Sequence, residues 1–181
     1  MDFIPILQII WERSIELFTA PYYTQEMLWI LIPLVANMLL MELYFGRYTK
    51  EELGWNTAFS NSLVLIFVSI DLLRQLYYQG VLFAFDIKTA LVLAIILEGI
   101  ILTGLNFFHV LPKKWSFSIA SKLPINIVAY FTIILIYTNI QLDLLTGAAI
   151  LFSGISIYLI LKLFQMFVPE SSDELFEEDE E

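Results

Sequence analysis

Apolar residues gather into five long runs, at about 27–44, 56–78, 87–109, 124–140 and 144–168, with short polar breaks between them. Each run is close to the roughly 20 apolar residues that cross the hydrocarbon of a bilayer. The pattern predicts an all-α integral membrane protein with about five transmembrane helices. A different pattern precedes the runs. Glu12, Arg13 and Glu16 interrupt an apolar face that Ile9, Ile10, Ile15 and Leu17 continue. Residues 1–20 therefore read as an amphipathic helix, lying at the membrane interface or packed on the bundle, and ended by Pro21. The chain divides into this helix, a transmembrane helical bundle over 21–168, and an acidic tail over 169–181 expected to be disordered.

Within the runs, local signals add detail. Pro33 predicts a kink in the first span. The connection 49–55 (TKEELGW) is short and polar, so spans one and two form an antiparallel hairpin. Glu51 and Glu52 suit the first turn of the second helix, where acids favour the helix dipole. Span two is the most polar, and Thr57, Asn61, Val64, Val68, Asp71 and Gln75 drift along one face expected to point into the bundle. Residues 110–123 hold the lysine cluster Lys113, Lys114 and Lys122, which suits a short surface helix at headgroup level. Pro124 fits the first position of span four. In span five, Ala149, Ser153 and Ser156, with Gly147 and Gly154, offer small faces of the kind that let membrane helices approach closely and self-associate.

Composition supports this reading. The chain has 181 residues, 59% hydrophobic and only 15% charged, and its mean hydropathy is +0.78. The net charge of −10 is concentrated, because eight of the 19 acids lie between Glu170 and Glu181, leaving −2 for the rest. The low pI therefore describes a tail and not a whole surface. That tail reads as a docking strip for a basic cytosolic partner, with Leu175 and Phe176 as anchors. Met1-Asp2 lacks a basic region and a cleavage site follows nowhere near, so no cleaved signal peptide is expected. Five spans would put Arg47, Lys50, Lys113, Lys114 and Lys122 on one side and Arg13, Arg74 and Lys88 on the other. Five against three places the C-terminus in the cytoplasm and the N-terminus outside.

Candidate chemistry starts at Glu98, the one charge between Lys88 and His109. A carboxylate near the centre of a span must face protein, water or a partner, and such residues are functional candidates by default. His109 follows eleven residues later, about three turns on, giving a protonatable pair on one stripe. Asp71 and Arg74 stand at i, i+3 and form an ion pair or, with Glu98 and Asn61, a charged path. Glu42, Arg47, Trp55 and Asn56 crowd the first hairpin as a headgroup or vestibule cluster.

The sequence excludes several classes. There is no cysteine and a single histidine, so no disulfide, thiolate nucleophile or multi-histidine metal site is available. No GxSxG, HExxH, P-loop, GxGxxG or EF-hand pattern occurs, and no basic stripe suits nucleic acid. No catalytic residue, metal or cofactor is assigned, and an enzyme is not the favoured reading. Membrane lipids, and either further copies of the chain or a membrane complex, are the expected partners. The leading functional expectation is a proton or small-cation channel or transporter component centred on Glu98. The alternatives are a non-catalytic subunit or scaffold of a membrane assembly, and a lipid-headgroup-binding or lipid-modifying protein.

Overall fold

Where the runs predict helices, helices form. In a computed structural model, which describes residues 3–48, 54–84 and 86–169, the elements are α1 (Phe3–Tyr23), α2 (Leu28–Arg47), α3 (Trp55–Tyr78), α4 (Ile87–Phe107), α5 (Lys113–Ile119), α6 (Lys122–Tyr137) and α7 (Leu144–Met166). The described residues are all-helical apart from turns. Five helical segments are long and apolar enough to cross a membrane: Gln25–Arg47, Trp55–Tyr78, Ile87–Phe107, Lys113–Tyr137 and Leu144–Met166. The acidic tail from Glu170, and Lys50, Glu51 and Glu52 of the first hairpin, lie outside the described residues.

The core gathers on α6. In the segment that contains it, 65% of the apolar window is buried, against 39% or less in the other four. Phe131, Ile133, Ile134, Leu135 and Ile136 are all within the core. Consecutive buried positions, rather than a 3.6-residue stripe, mean that α6 is covered from several sides. Around it, α3 packs on α4 and α6, α2 packs on α6 and α7, and α1 packs on α7. On α1, Ser14, Leu17 and Ala20 are buried at i, i+3 and i+6, so one face meets the bundle.

The chain alternates direction, which gives the bundle two ends. The near end carries the starts of α2, α4 and α7 with the turns at 79–86 and 138–143. The far end carries the starts of α3 and α5 and the finishes of α2, α4 and α7. At the near end α4 and α7 begin on the same device. Asp86 Oδ1 accepts from the Thr89 amide at 2.9 Å, and Asp143 Oδ1 accepts from the Thr146 amide at 2.7 Å. Each satisfies an amide that the first helical turn leaves without a partner.

Two helices stop on one further motif. After α3, the Val81 amide bonds to Leu76 O at 3.1 Å and the Gly80 amide to Tyr77 O at 3.0 Å. After α4, the Val110 amide bonds to Leu105 O at 3.0 Å and the His109 amide to Asn106 O at 3.3 Å. These are Schellman pairs, and they need a left-handed residue just past the cap. Gly80 supplies it at φ 73°, and His109 supplies it at φ 51°.

Several boundaries differ from the sequence reading. Pro21 does not end α1, which runs on to Tyr23. Proline removes a single amide from the last turn, and the Thr24 amide still closes onto Ala20 O at 2.9 Å. Pro124 is the third residue of α6, after Ser121 as cap, and not the first. Its missing N–H costs nothing there, because amides of the first turn have no helical partner. The buried face of α3 is centred on Ala58, Asn61, Ser62, Leu65, Ser69, Leu72 and Leu76. It therefore includes Asn61 and Val68 but leaves Thr57, Val64, Asp71 and Gln75 half-buried at its margin. The small residues Ala149 and Ser153 of α7 are fully buried within the chain, and Ala149 O accepts from Ser14 Oγ of α1 at 3.5 Å.

Candidate functional site

The predicted site residues fall into four places. At the far end, Asn61 is buried in α3 and donates from Nδ2 to Ala120 O at 3.0 Å. Beside it on α3 begins a buried polar knot made by Asn106, which donates to Ser62 Oγ at 2.8 Å and Ala58 O at 3.3 Å and accepts from Ser116 Oγ. The knot ties α3, α4 and α5 together. Its donors and acceptors are mutually matched, as buried polar groups require.

Just outside the knot, Trp55 stacks on His109 with ring centroids 4.1 Å apart, and Phe117 meets Trp55 edge-on at 5.2 Å. His109 does not share a helical stripe with Glu98. The helix ends at Phe107, and the left-handed turn at His109 carries the ring onto α3. Arg47 lies 5.9 Å from the Tyr48 ring, and Asn56 is exposed. Trp55 and His109 thus meet, while Arg47 and Asn56 stay at the rim.

At the near end, Arg74 donates to Asp71 Oδ1, and the Tyr137 hydroxyl donates to Asp71 Oδ2 at 3.2 Å. This trio links α3 to the last turn of α6. Lys88 completes the same end by donating to Thr138 O at 2.6 Å, capping the carbonyls that α6 leaves open. Arg74 is largely exposed, so the pair is an edge feature. The chain does not bring Asp71, Arg74, Asn61 and Glu98 together.

Glu98 stands apart. The inward stripe of α4 is Thr89, Val92, Ile95, Gly99, Leu102 and Asn106. Glu98 is exposed on the outer flank, between Leu97 and Ile101, which are also exposed. No described residue of the chain hydrogen-bonds to its carboxylate or pairs with it.

The fourth place is a lateral cleft of about 930 Å³ between α4, α6 and α7. Its floor is Ile127, Phe131 and Leu135 of α6, and its walls include Ile95 of α4 and Ile150 and Ile155 of α7. Gly154 lies in the α7 wall, where an added Cβ would stand 3.5 Å from Ile127 Cγ2. The far end of the cleft is polar and is closed by Glu42, Ser118, Ser121, Lys162 and Gln165. Gln165 Nε2 donates to the Glu42 carboxylate and to Glu42 O at 3.2 Å, and Lys162 Nζ donates to Gln165 Oε1 at 2.7 Å. One anion, one amide and one cation therefore run in a chain across the polar end.

A long apolar slot with a compact polar terminus is the shape of an amphiphile site. Sequence reasoning found Glu42 but missed Lys162 and Gln165, which lie 120 or more residues away and carry no local motif. The turn spacing of Lys162 and Gln165 at i, i+3 was the available signal. Among the described residues, no cluster of three or more His, Asp or Glu is arranged to hold a metal ion. In comparisons with known proteins, no family model, curated protein or solved structure matches the chain.

Proposed function

We propose that this chain crosses the bilayer five times and binds a membrane lipid in the cleft between α4, α6 and α7. One observation carries the reading: the cleft is apolar along its length and polar at one end, where Glu42, Gln165 and Lys162 are linked. The acyl chain would lie along the slot over Ile127 of α6 and the exposed Leu151 and Ile155 of α7. The headgroup would meet the far end, level with the Lys113 and Lys114 segment and with Trp115. Glu42 and Lys162 balance one another in charge, which favours a neutral or zwitterionic headgroup. That end is the one the lysine and arginine distribution assigns to the cytoplasmic leaflet.

The test is photolabelling of the full chain in nanodiscs with a diazirine-bearing phosphatidylethanolamine. Label should appear on cleft peptides that contain Phe131 and Ile155. Gly154→Trp, which fills the slot, should remove it. Leu159→Trp, on an exposed position of α7 outside the cleft lining, should leave it intact. Equal labelling of all outer faces, or labelling that Gly154→Trp does not change, would overturn the reading.

A second reading, movement of protons or small cations, draws on Glu98. Because Glu98 faces outward, such a path would run between chains and not through one. Glu98→Gln would then lower ion flux in liposomes, and unchanged flux would remove this reading. Neither reading requires a basic cytosolic partner for the tail, which a pull-down with and without residues 170–181 would identify.

A further inference from the structure

Glu98 has no partner among the described residues of its own chain, and one other side chain near mid-helix shares that position. Asn37 of α2 is exposed, as are its neighbours Pro33 and Ala36. No described residue hydrogen-bonds to its amide. The two residues stand at similar positions along their helices. At 1.5 Å per residue, Glu98 is about 16 Å from the near end of α4 at Ile87 and about 13 Å from Phe107. Asn37 is about 13 Å from the near end of α2 at Leu28 and about 15 Å from Arg47. Both helices run from the near end to the far end, so two copies inserted in the same sense hold a carboxylate and a primary amide level with one another.

We propose that the outer face of α4 docks on the outer face of α2 in a second copy of this chain, with Glu98 accepting a hydrogen bond from Asn37 of that copy. The amide supplies N–H donors, and the carboxylate supplies acceptors, so each satisfies what the other lacks in hydrocarbon. Small side chains sit beside both groups, Ala94 on α4 and Ala36 on α2, and both are exposed. They allow the backbones to approach to hydrogen-bonding range. The α2 face belongs to a helix packed on α6 and α7, whereas the α4 face belongs to a helix packed mainly on α3. The contact is therefore heterologous, and repeating it builds a ring when the rotation closes. The inference rests on the membrane-spanning part of the proposed function but not on the lipid cleft, so a failed lipid test leaves it standing.

The chain has no cysteine, which makes the test direct. Two differently tagged full-length copies, one A36C and one A94C, which keep Asn37 and Glu98, are co-expressed and oxidised in native membranes. A mixed disulfide joining the two tags is expected, because close approach of the backbones at the two alanines brings these positions toward disulfide reach. In mild detergent the wild type should run as an oligomer, and E98L and N37L should each run as monomers with unchanged helical circular dichroism. E98Q, which retains a hydrogen-bonding group, should keep the oligomer and guards against a folding defect in E98L. A wild type that is monomeric in membranes and detergent overturns the proposal. So does a disulfide that forms between A94C copies but not between A94C and A36C, or an oligomer that survives both leucine variants.

Discussion

Trp55 stacks on His109, with centroids 4.1 Å apart and 29° between the ring planes. The contact closes the α3–α4 hairpin at its far end, and it is made at the cost of backbone strain. His109 adopts φ 51° to complete the Schellman turn after α4. A left-handed non-glycine residue costs about 1–2 kcal/mol, while an aromatic pair contributes about 0.5–1.5 kcal/mol beyond its buried area. The two effects separate by substitution. His109→Ala loses the ring and keeps the strain, whereas His109→Gly loses the ring and removes it. The glycine variant should therefore be more stable than the alanine variant by about 1 kcal/mol in reversible unfolding. A Trp55→Ala, His109→Ala double-mutant cycle should show a coupling of the pair's size, and a coupling near zero would rule the stack out as a stabilising contact.

Gly99 sets the distance between α3 and α4. A Cβ built there would stand 2.9 Å from Ile66 Cγ1 and 3.1 Å from Leu65 Cβ. The Ile66 side chain can turn aside, but the Leu65 Cβ is fixed to its backbone. Gly99→Ala should therefore push the helices apart and destabilise the bundle by about 1–3 kcal/mol, the usual cost of overpacking. Gly104→Ala on the same helix meets open space and should leave the thermal midpoint unchanged or raise it slightly, since alanine is the better helix former. Equal effects at the two positions would contradict the close approach at Gly99.

Asn106 holds the far-end knot through two donated bonds and one accepted bond. Asn106→Leu is nearly the same size but leaves the Ser116 hydroxyl without its acceptor in a buried place. Each buried polar group deprived of its partner costs about 1–3 kcal/mol. Asn106→Leu combined with Ser116→Ala removes both members and should recover part of the loss. Denaturation of the two variants in parallel checks this, and a double variant no more stable than the single would show that Ser116 finds another acceptor.

The helices were legible because bilayer-length apolar runs leave little choice of element, and their order followed from short polar breaks. The faces were less legible. In a soluble bundle apolar residues mark the inside, but on α4 apolar residues cover both the inner and the outer face, and the inward stripe is marked by Gly99 and Asn106 instead. Glu98 drew attention by its isolation, yet isolation in sequence does not say which flank a residue occupies. The Asp86 and Asp143 caps were readable from an acid followed three residues later by threonine at the start of an apolar run. The Glu42–Gln165–Lys162 chain was not readable, because it depends on α2 and α7 finishing side by side. There an added Cβ on Gly46 would stand 3.3 Å from Gln165 Cγ.

Asp143 gives the bundle an acid-sensitive start to α7. The Thr146 amide, followed by the Thr146 side chain, holds the Asp143 carboxyl below its ordinary value of 3.8. The folded form thus releases this proton at lower pH than the unfolded chain does. Its contribution to stability is fully present above the unfolded value and is lost as pH falls through the folded value. Stability should decline below about pH 4 by a component that Asp143→Asn lacks, since asparagine caps the same amide without titrating. At neutral pH Asp143→Ala should lower the thermal midpoint more than Asp143→Asn. Thermal scans from pH 2.5 to 7 on the three proteins measure both effects. An acid-side slope that persists unchanged in Asp143→Asn would assign it to other carboxylates and take the cap out of the pH response.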